Sequence, residues 1–244
     1  EHVLENNNVL SLGAVVDIVK HPGVPDRDLY VFDTDTDEII DVVSTLGTLL
    51  YGVAVDSQGR VYISQTDARN DINGKAGTEE HGLSQLQNRA FLNRLTTVQC
   101  GRSQCGEPAF IDLEPLPPAH PAPGQALATP FALVVSPDDK TLVATAAGSD
   151  IVFTVDADTG NVLGRAAVGS VPRGVALESD DGGGPARAWV YNAVDDSVSV
   201  LDLSDLENPR VVETIAMEDP TPLELKRGRS AFNDAGASTT GTFS

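Results

Sequence analysis

Val-rich alternating runs, polar turns between them and a spacing of 44 to 46 residues predict an all-β chain. The predicted architecture is a series of β-propeller blades, each a four-stranded antiparallel sheet. About four blades fit in the chain, closing a small ring or forming part of a larger one.

Composition comes first. The 244 residues are 41% hydrophobic but only 5% aromatic, so the apolar mass is mostly aliphatic. Branched Val and Ile are stiff at χ1 and pack well on a pleated surface, which favours sheet. The length suits one all-β domain or two small ones.

The repeat comes second. Three segments align in phase: Gly52-Val-Ala-Val-Asp-Ser-Gln-Gly-Arg-Val-Tyr-Ile-Ser, Ala132-Leu-Val-Val-Ser-Pro-Asp-Asp-Lys-Thr-Leu-Val-Ala and Gly174-Val-Ala-Leu-Glu-Ser-Asp-Asp-Gly-Gly-Gly. Each reads as an alternating strand followed by a polar turn. The third resumes at Ala188-Trp-Val-Tyr-Asn, where Trp189 and Tyr191 are expected to pack between blades.

Strand ends supply the third observation. Tyr30-Val-Phe-Asp, Phe110-Ile-Asp-Leu, Phe153-Thr-Val-Asp and Val200-Leu-Asp-Leu place aspartates at 33, 112, 156 and 202, intervals of 79, 44 and 46 residues. The last two intervals match one blade, and the first, nearly two blades long, predicts an insertion or a degenerate neighbouring blade. The expected units are 1–50, 51–128, 129–170 and 171–217, with an insertion over about 65–108 and a tail over 218–244.

Turn chemistry agrees. Ser136-Pro-Asp-Asp-Lys suits a tight connection, Asp158-Thr-Gly-Asn another, and Gly169-Ser-Val-Pro-Arg-Gly links one blade to the next.

Charge narrows the function. The net charge of −20, from 36 Asp+Glu against 16 Lys+Arg, repels a phosphate backbone, so nucleic acid is set aside as a partner. No apolar stretch reaches the roughly 18 residues of a membrane span. The chain opens at Glu1 without a signal peptide, which a mature or trimmed start explains as well as a cytosolic origin does.

Cys100 and Cys105 lie in Cys-Gly-Arg-Ser-Gln-Cys, where flanking glycines allow a tight loop disulfide. Free thiols are the alternative. A disulfide implies an oxidising compartment, hence a periplasmic or extracellular location.

Ser136-Pro-Asp-Asp-Lys-Thr-Leu-Val-Ala, Ser149-Asp-Ile-Val-Phe-Thr-Val-Asp, Thr159-Gly-Asn-Val-Leu and Val168-Gly-Ser-Val-Pro-Arg-Gly-Val-Ala-Leu together resemble the YVTN-repeat β-propellers. Asn192-Ala-Val-Asp-Asp-Ser-Val-Ser-Val-Leu-Asp repeats the core of that pattern. The tail, from Asp219-Pro-Thr-Pro through Lys226-Arg-Gly-Arg-Ser-Ala-Phe to Ser244, resembles the segment that leads from such blades into a c-type cytochrome module of the di-haem peroxidase kind. The resemblance implies a haem c downstream of Ser244. This chain itself has no Cys-x-x-Cys-His and so carries no haem c of its own.

Candidate sites are sparse. Asp33-Thr-Asp-Thr-Asp-Glu opens like a calcium loop, but Glu38 stands where such a loop needs Gly and Ser44 where it needs Glu, which leaves a solvated turn. From Arg69 onward, Asp71, Asn73, Gly74 and Glu80 fall at loop positions three, five, six and twelve. An oxygen-rich calcium site around Asp67, Asp71, Asn73 and Glu80 is therefore the metal candidate. Among the histidines, His81 follows two glutamates in the insertion and is a ligand or proton-transfer candidate; His120 sits in a Pro-rich tract.

No nucleophile or phosphate-loop motif stands out, so the blades read as a scaffold and not an enzyme. The expected function is a docking module of an exported electron-transfer protein, with a protein or redox partner held by the insertion loops. The alternative is a stand-alone binding or structural propeller that oligomerises into a larger extracellular complex.

Overall fold

The computed structural model describes residues 27–69, 86–87, 89–238 and 241–242, and the backbone alone of 2–4 and 18–20. The strands are β1 His2–Leu4, β2 Ile18–Lys20, β3 Leu29–Phe32, β4 Ile39–Val43, β5 Leu49–Val55, β6 Arg60–Ala68, β7 Phe91–Gln99, β8 Ala109–Asp112, β9 Pro130–Val135 and β10 Thr141–Ala146. They continue with β11 Ile151–Asp156, β12 Val162–Ala167, β13 Pro172–Ser179, β14 Pro185–Asn192, β15 Ser197–Asp202 and β16 Arg210–Ala216. The tail holds helix α1, Leu223–Asn233, and a 3₁₀ turn, Ala235–Ala237.

Three antiparallel meanders, β5–β8, β9–β12 and β13–β16, form four-stranded blades. They begin within two residues of the boundaries the repeat predicts. Two-stranded sheets, β1–β2 and β3–β4, precede them. The first strands of the blades pack side by side, β5 on β9 and β9 on β13, and so form the inner edge of the fan.

Alternation explains the packing. Odd and even residues of a strand face opposite sides, so each blade offers an apolar face to both neighbours. Tyr62, Leu95, Leu133, Leu142 and Phe153 fill the seam between the β5–β8 and β9–β12 blades. Val143, Val152, Val190 and Leu201 fill the next seam. Val43, Leu46, Val61, Ile63 and Val98 join β3–β4 to the β5–β8 blade. Burying a side chain such as Phe153 contributes roughly 1.5–3 kcal/mol. Blade seams are tight: a Cβ on Gly52 would lie 2.6 Å from the Phe131 carbonyl oxygen.

Three expectations need correcting. Val190 packs between blades, whereas Trp189 and Tyr191 share the opposite face of β14, Trp189 half-buried and Tyr191 40% exposed. Asp112 ends the fourth strand of its blade, whereas Asp156 and Asp202 end third strands and Asp33 follows the first strand of the two-stranded sheet β3–β4. The 79-residue interval therefore mixes two positions of the blade. The third strand of the β5–β8 blade is β7, and its turn to β8 begins with the Cys100–Cys105 disulfide. The connection between its second and third strands is accordingly shorter than the expected insertion, running from Arg69 to Ala90.

Candidate functional site

A blade of this kind has two ends. One end, the turn face, carries the turns between first and second strands and between third and fourth strands. The other, the junction face, carries the second-to-third connections and the junctions between blades.

Aspartates build the turn face. Asp156 Oδ1 accepts the N–H groups of Asp158 and Thr159 and the Thr159 hydroxyl, at 3.1, 2.7 and 2.8 Å. Asp33 accepts Asp35 and Thr36, Asp56 accepts Gln58 and Arg60, and Asp180 accepts Gly182 and Gly184. A carboxylate suits a turn because it satisfies backbone donors the strands leave unpaired. These bonds favour the charged form and hold Asp33 and Asp156 below the ordinary carboxylate range. Much of the acid excess is thus explained as turn chemistry. A groove of about 690 Å³ lies between the last two blades, lined by Asp138, Asp156, Asp180 and Asp202 with Lys140 and Arg187 among them.

The junction face is chemically different. Tyr51, Phe131 and Arg173 stand immediately before the three aligned segments, one at the start of each inner strand. Tyr51 stacks on Phe131 with centroids 5.0 Å apart, and the Arg173 guanidinium lies 5.1 Å from the Phe131 centroid. Aromatic stacking and cation–π attraction thus link three successive blades. The approach to this stack is strained. Thr129 and Val171 hold φ of 54° and 58° just before Pro130 and Pro172, at a cost of about 1–3 kcal/mol each. Their carbonyls accept the Ala147 and Ala193 N–H groups at 2.9 Å, which locks both junctions. Val171 N–H in turn donates to Asp150, whose carboxyl burial pushes up, with Asp234 and Asp195 adding to the effect.

A buried polar network lies at the outer part of the same face. The Arg89 and Glu114 side chains are each 1% exposed and meet at 2.8 Å. Glu114 also accepts Asn93 Nδ2 and the Leu127 N–H. Arg89 further donates to the Pro115 and Ala119 carbonyls. Burial pushes Glu114 up and Arg89 down, because each charge loses its water. Asn93 Nδ2 reaches the Thr242 carbonyl at 3.0 Å, so the tail ends on this network.

The tail reaches it by crossing the junction face. Ser230 meets Ser170 at 2.9 Å, and the Ala235 N–H donates to the Gly148 carbonyl at 2.8 Å. Blades β13–β16, β9–β12 and β5–β8 are touched in that order.

Of the metal candidates, Asp67 is committed to Arg94 at 3.0 Å and accepts the Thr48 hydroxyl at 3.1 Å. Asp71, Asn73 and Glu80, like His81, lie outside the described residues. Among the described residues no group of three His, Cys, Asp or Glu side chains is placed to hold a metal ion. His120 stands apart from the stack, in an exposed stretch. The Cys100 and Cys105 sulfurs are bonded, and the Cys105 N–H donates to Asp41, which ties the loop to β4. The junction face therefore combines stacked rings, a guanidinium and a strapped tail.

No protein-family model matches the chain, and no curated protein matches it. Solved structures do. Hydrazine synthase of Kuenenia stuttgartiensis is similar with a TM-score of 0.54 at 15% identity, over 79% of this chain and 53% of that one. A periplasmic gluconolactonase of Pseudomonas aeruginosa is similar with a TM-score of 0.51 at 15% identity, over 79% of this chain and 50% of that one. Both are β-propellers, and the likeness is one of fold. This chain spans about half the length of each.

Proposed function

We propose that these blades are the scaffold and docking module of an exported electron-transfer protein whose c-type haem is carried by polypeptide downstream of Ser244. The course of the tail carries this reading. The segment whose sequence resembles the approach to a cytochrome module is strapped across the junction face by Ser230, Ala235 and Thr242. A domain following it would start beside the base of the Arg69–Ala90 connection, within reach of the same face.

The residues present do not fit a haem c. The two cysteines are bonded to each other, and no Cys-x-x-Cys-His occurs. No redox step is assigned to this chain. Its own residues hold the tail, present the Tyr51–Phe131–Arg173 stack and keep an acidic turn face towards solvent. Export is supported by the disulfide, which persists in oxidising compartments. YVTN-type blades are part of this proposal.

The gene sequence beyond Ser244 tests it. A Cys-x-x-Cys-His within a few codons, with covalent haem in the native protein, is the expected finding. A stop codon or an unrelated domain there would end the proposal.

A further inference from the structure

The two ends of the fan carry the two halves of one seam. At the leading end stands β3–β4, whose turn repeats the β11–β12 turn. Asp33 Oδ1 accepts the Asp35 and Thr36 N–H groups, as Asp156 Oδ1 accepts those of Asp158 and Thr159. The Asp37 N–H donates to the Asp33 carbonyl, as the Gly160 N–H does to that of Asp156, and Asp37 and Gly160 hold φ of 58° and 74°. β3–β4 thus matches the outer half of a blade, with Tyr30 and Phe32 at the places of Phe153 and Val155. Leu29 takes the place of Val152, and like it faces the following blade. In the β9–β12 blade, Phe153 and Val155 are buried against the preceding blade. Tyr30 and Phe32 are instead 39% and 52% exposed, with ring centroids 6.3 Å apart.

The trailing end carries the other half. Strand register places Ala176, Trp189, Val198 and Ile215 of the β13–β16 blade where Val134, Val143, Val152 and Ala166 stand in the blade before it. Those four fill the seam to the following blade. Among the described residues no blade follows β13–β16, and its face is open. Trp189 and Val198 are half-buried there and Ile215 is 44% exposed.

We propose that the leading face of one chain packs on the trailing face of a second copy, so that two copies close one ring. The occupant follows from the residues. A trailing blade face takes the leading face of another blade, and this chain has both faces to offer. Phe32 of one copy meets Trp189 and Val198 of the other, as Leu201 shares a cluster with Val143 and Val152 within the chain. The contact is head to tail, so a closed pair forms two such seams at once. Three blades and the half-blade β3–β4 from each copy give about seven blades, within the four to eight of propeller rings. The likeness to the two solved propellers covers 53% and 50% of them, which leaves room for about as many blades again. Burial of Trp189, Tyr30 and Phe32 drives the association, since aromatic side chains dominate the energetics of such contacts. This inference stands apart from the electron-transfer reading, since it concerns only residues of this chain.

The test is the mass of the 244-residue chain by sedimentation and light scattering, from low- to high-micromolar protein in about 0.15 M salt, which screens the −20 charge of each copy. Twice the 25.6 kDa of the single chain is expected at the upper end. Phe32→Glu spoils the leading face and Ile215→Glu the trailing face. Both side chains are exposed, so the circular dichroism of the single chain should not change. Each variant alone should remain at 25.6 kDa, because every seam joins one leading and one trailing face. An equimolar mixture of the two variants keeps one intact seam and should pair again, which no isologous contact can do. A mass of 25.6 kDa for the unaltered chain at every concentration overturns the proposal, and leaves both faces to further blades of the same polypeptide. So does a dimer that survives either substitution, a mixture that does not pair, or growth beyond two copies, since the ring would then not close.

Discussion

Glu114 and Asp156 do similar jobs in different surroundings. Each accepts a backbone N–H close to where a strand ends. Glu114 does so in the dry seam below the junction face, opposite Arg89, and burial drives its carboxyl up. Asp156 does so in water at the turn face, and the same type of bond drives its carboxyl down. Surroundings, not bonding alone, decide which protonation state the fold prefers. The acids of this chain thus fall into two groups with opposite responses to pH.

The largest expected effect comes from breaking the dry member. Glu114→Ala leaves the Arg89 guanidinium buried without its carboxylate and should cost about 3–5 kcal/mol in urea unfolding. The double variant Arg89→Met with Glu114→Leu should recover more than half of that loss, because no lone charge remains. A cost below about 1 kcal/mol for Glu114→Ala would show that water reaches the pair.

Acid comes next. A carboxyl whose folded pKa is depressed contributes stability above its unfolded value and loses it as pH falls. Asp33, Asp139, Asp156 and Asp205 are depressed. Glu114 and Asp150 are raised and run the other way, since the folded form takes up their proton first. The depressed group is the larger, so the urea midpoint should fall as pH drops below about 4. The Arg89→Met/Glu114→Leu variant lacks one opposing contribution and should fall more steeply. Equal slopes would remove the distinction drawn between the two groups.

A smaller effect tests the wet member. Asp156→Ala should cost about 0.5–1 kcal/mol, since exposed hydrogen bonds compete with water, and should also flatten the acid slope. Asp156→Asn should restore part of the stability and none of the slope. The smallest effect is on the stack. Arg173→Ala should cost about 0.5 kcal/mol in unfolding, the scale of an exposed cation–π contact. A loss of several times that would mean the stack holds the blades together more than it serves binding.

Much of the blade pattern was legible. The alignment of Gly52, Ala132 and Gly174 locates three inner strands because a half-buried strand must alternate and its turn must supply donors and acceptors. The phase failed at Asp112, where a hydrophobic-hydrophobic-Asp ending recurs by chance in a fourth strand. The turn that should carry an aspartate instead starts at Cys100, so the landmark was a disulfide and not an acid. The stack was within reach, since Tyr51, Phe131 and Arg173 each precede an aligned segment. Nothing local marks them as touching, because contact between residues 80 apart depends on how blades fan. The Arg89–Glu114 network had no local signal either. Its members come from a connection, β7, a junction and the tail.

The bond between Asn93 and Thr242 spans 149 residues. Each blade is a meander of neighbouring strands and can form soon after it leaves the ribosome. The Glu114 network cannot be finished then, since its last acceptor is made after every blade. The young chain therefore passes through a stage with complete blades and an unsealed seam. Chaperone contact or misassembly during synthesis should concentrate at that seam, and should end when the tail arrives.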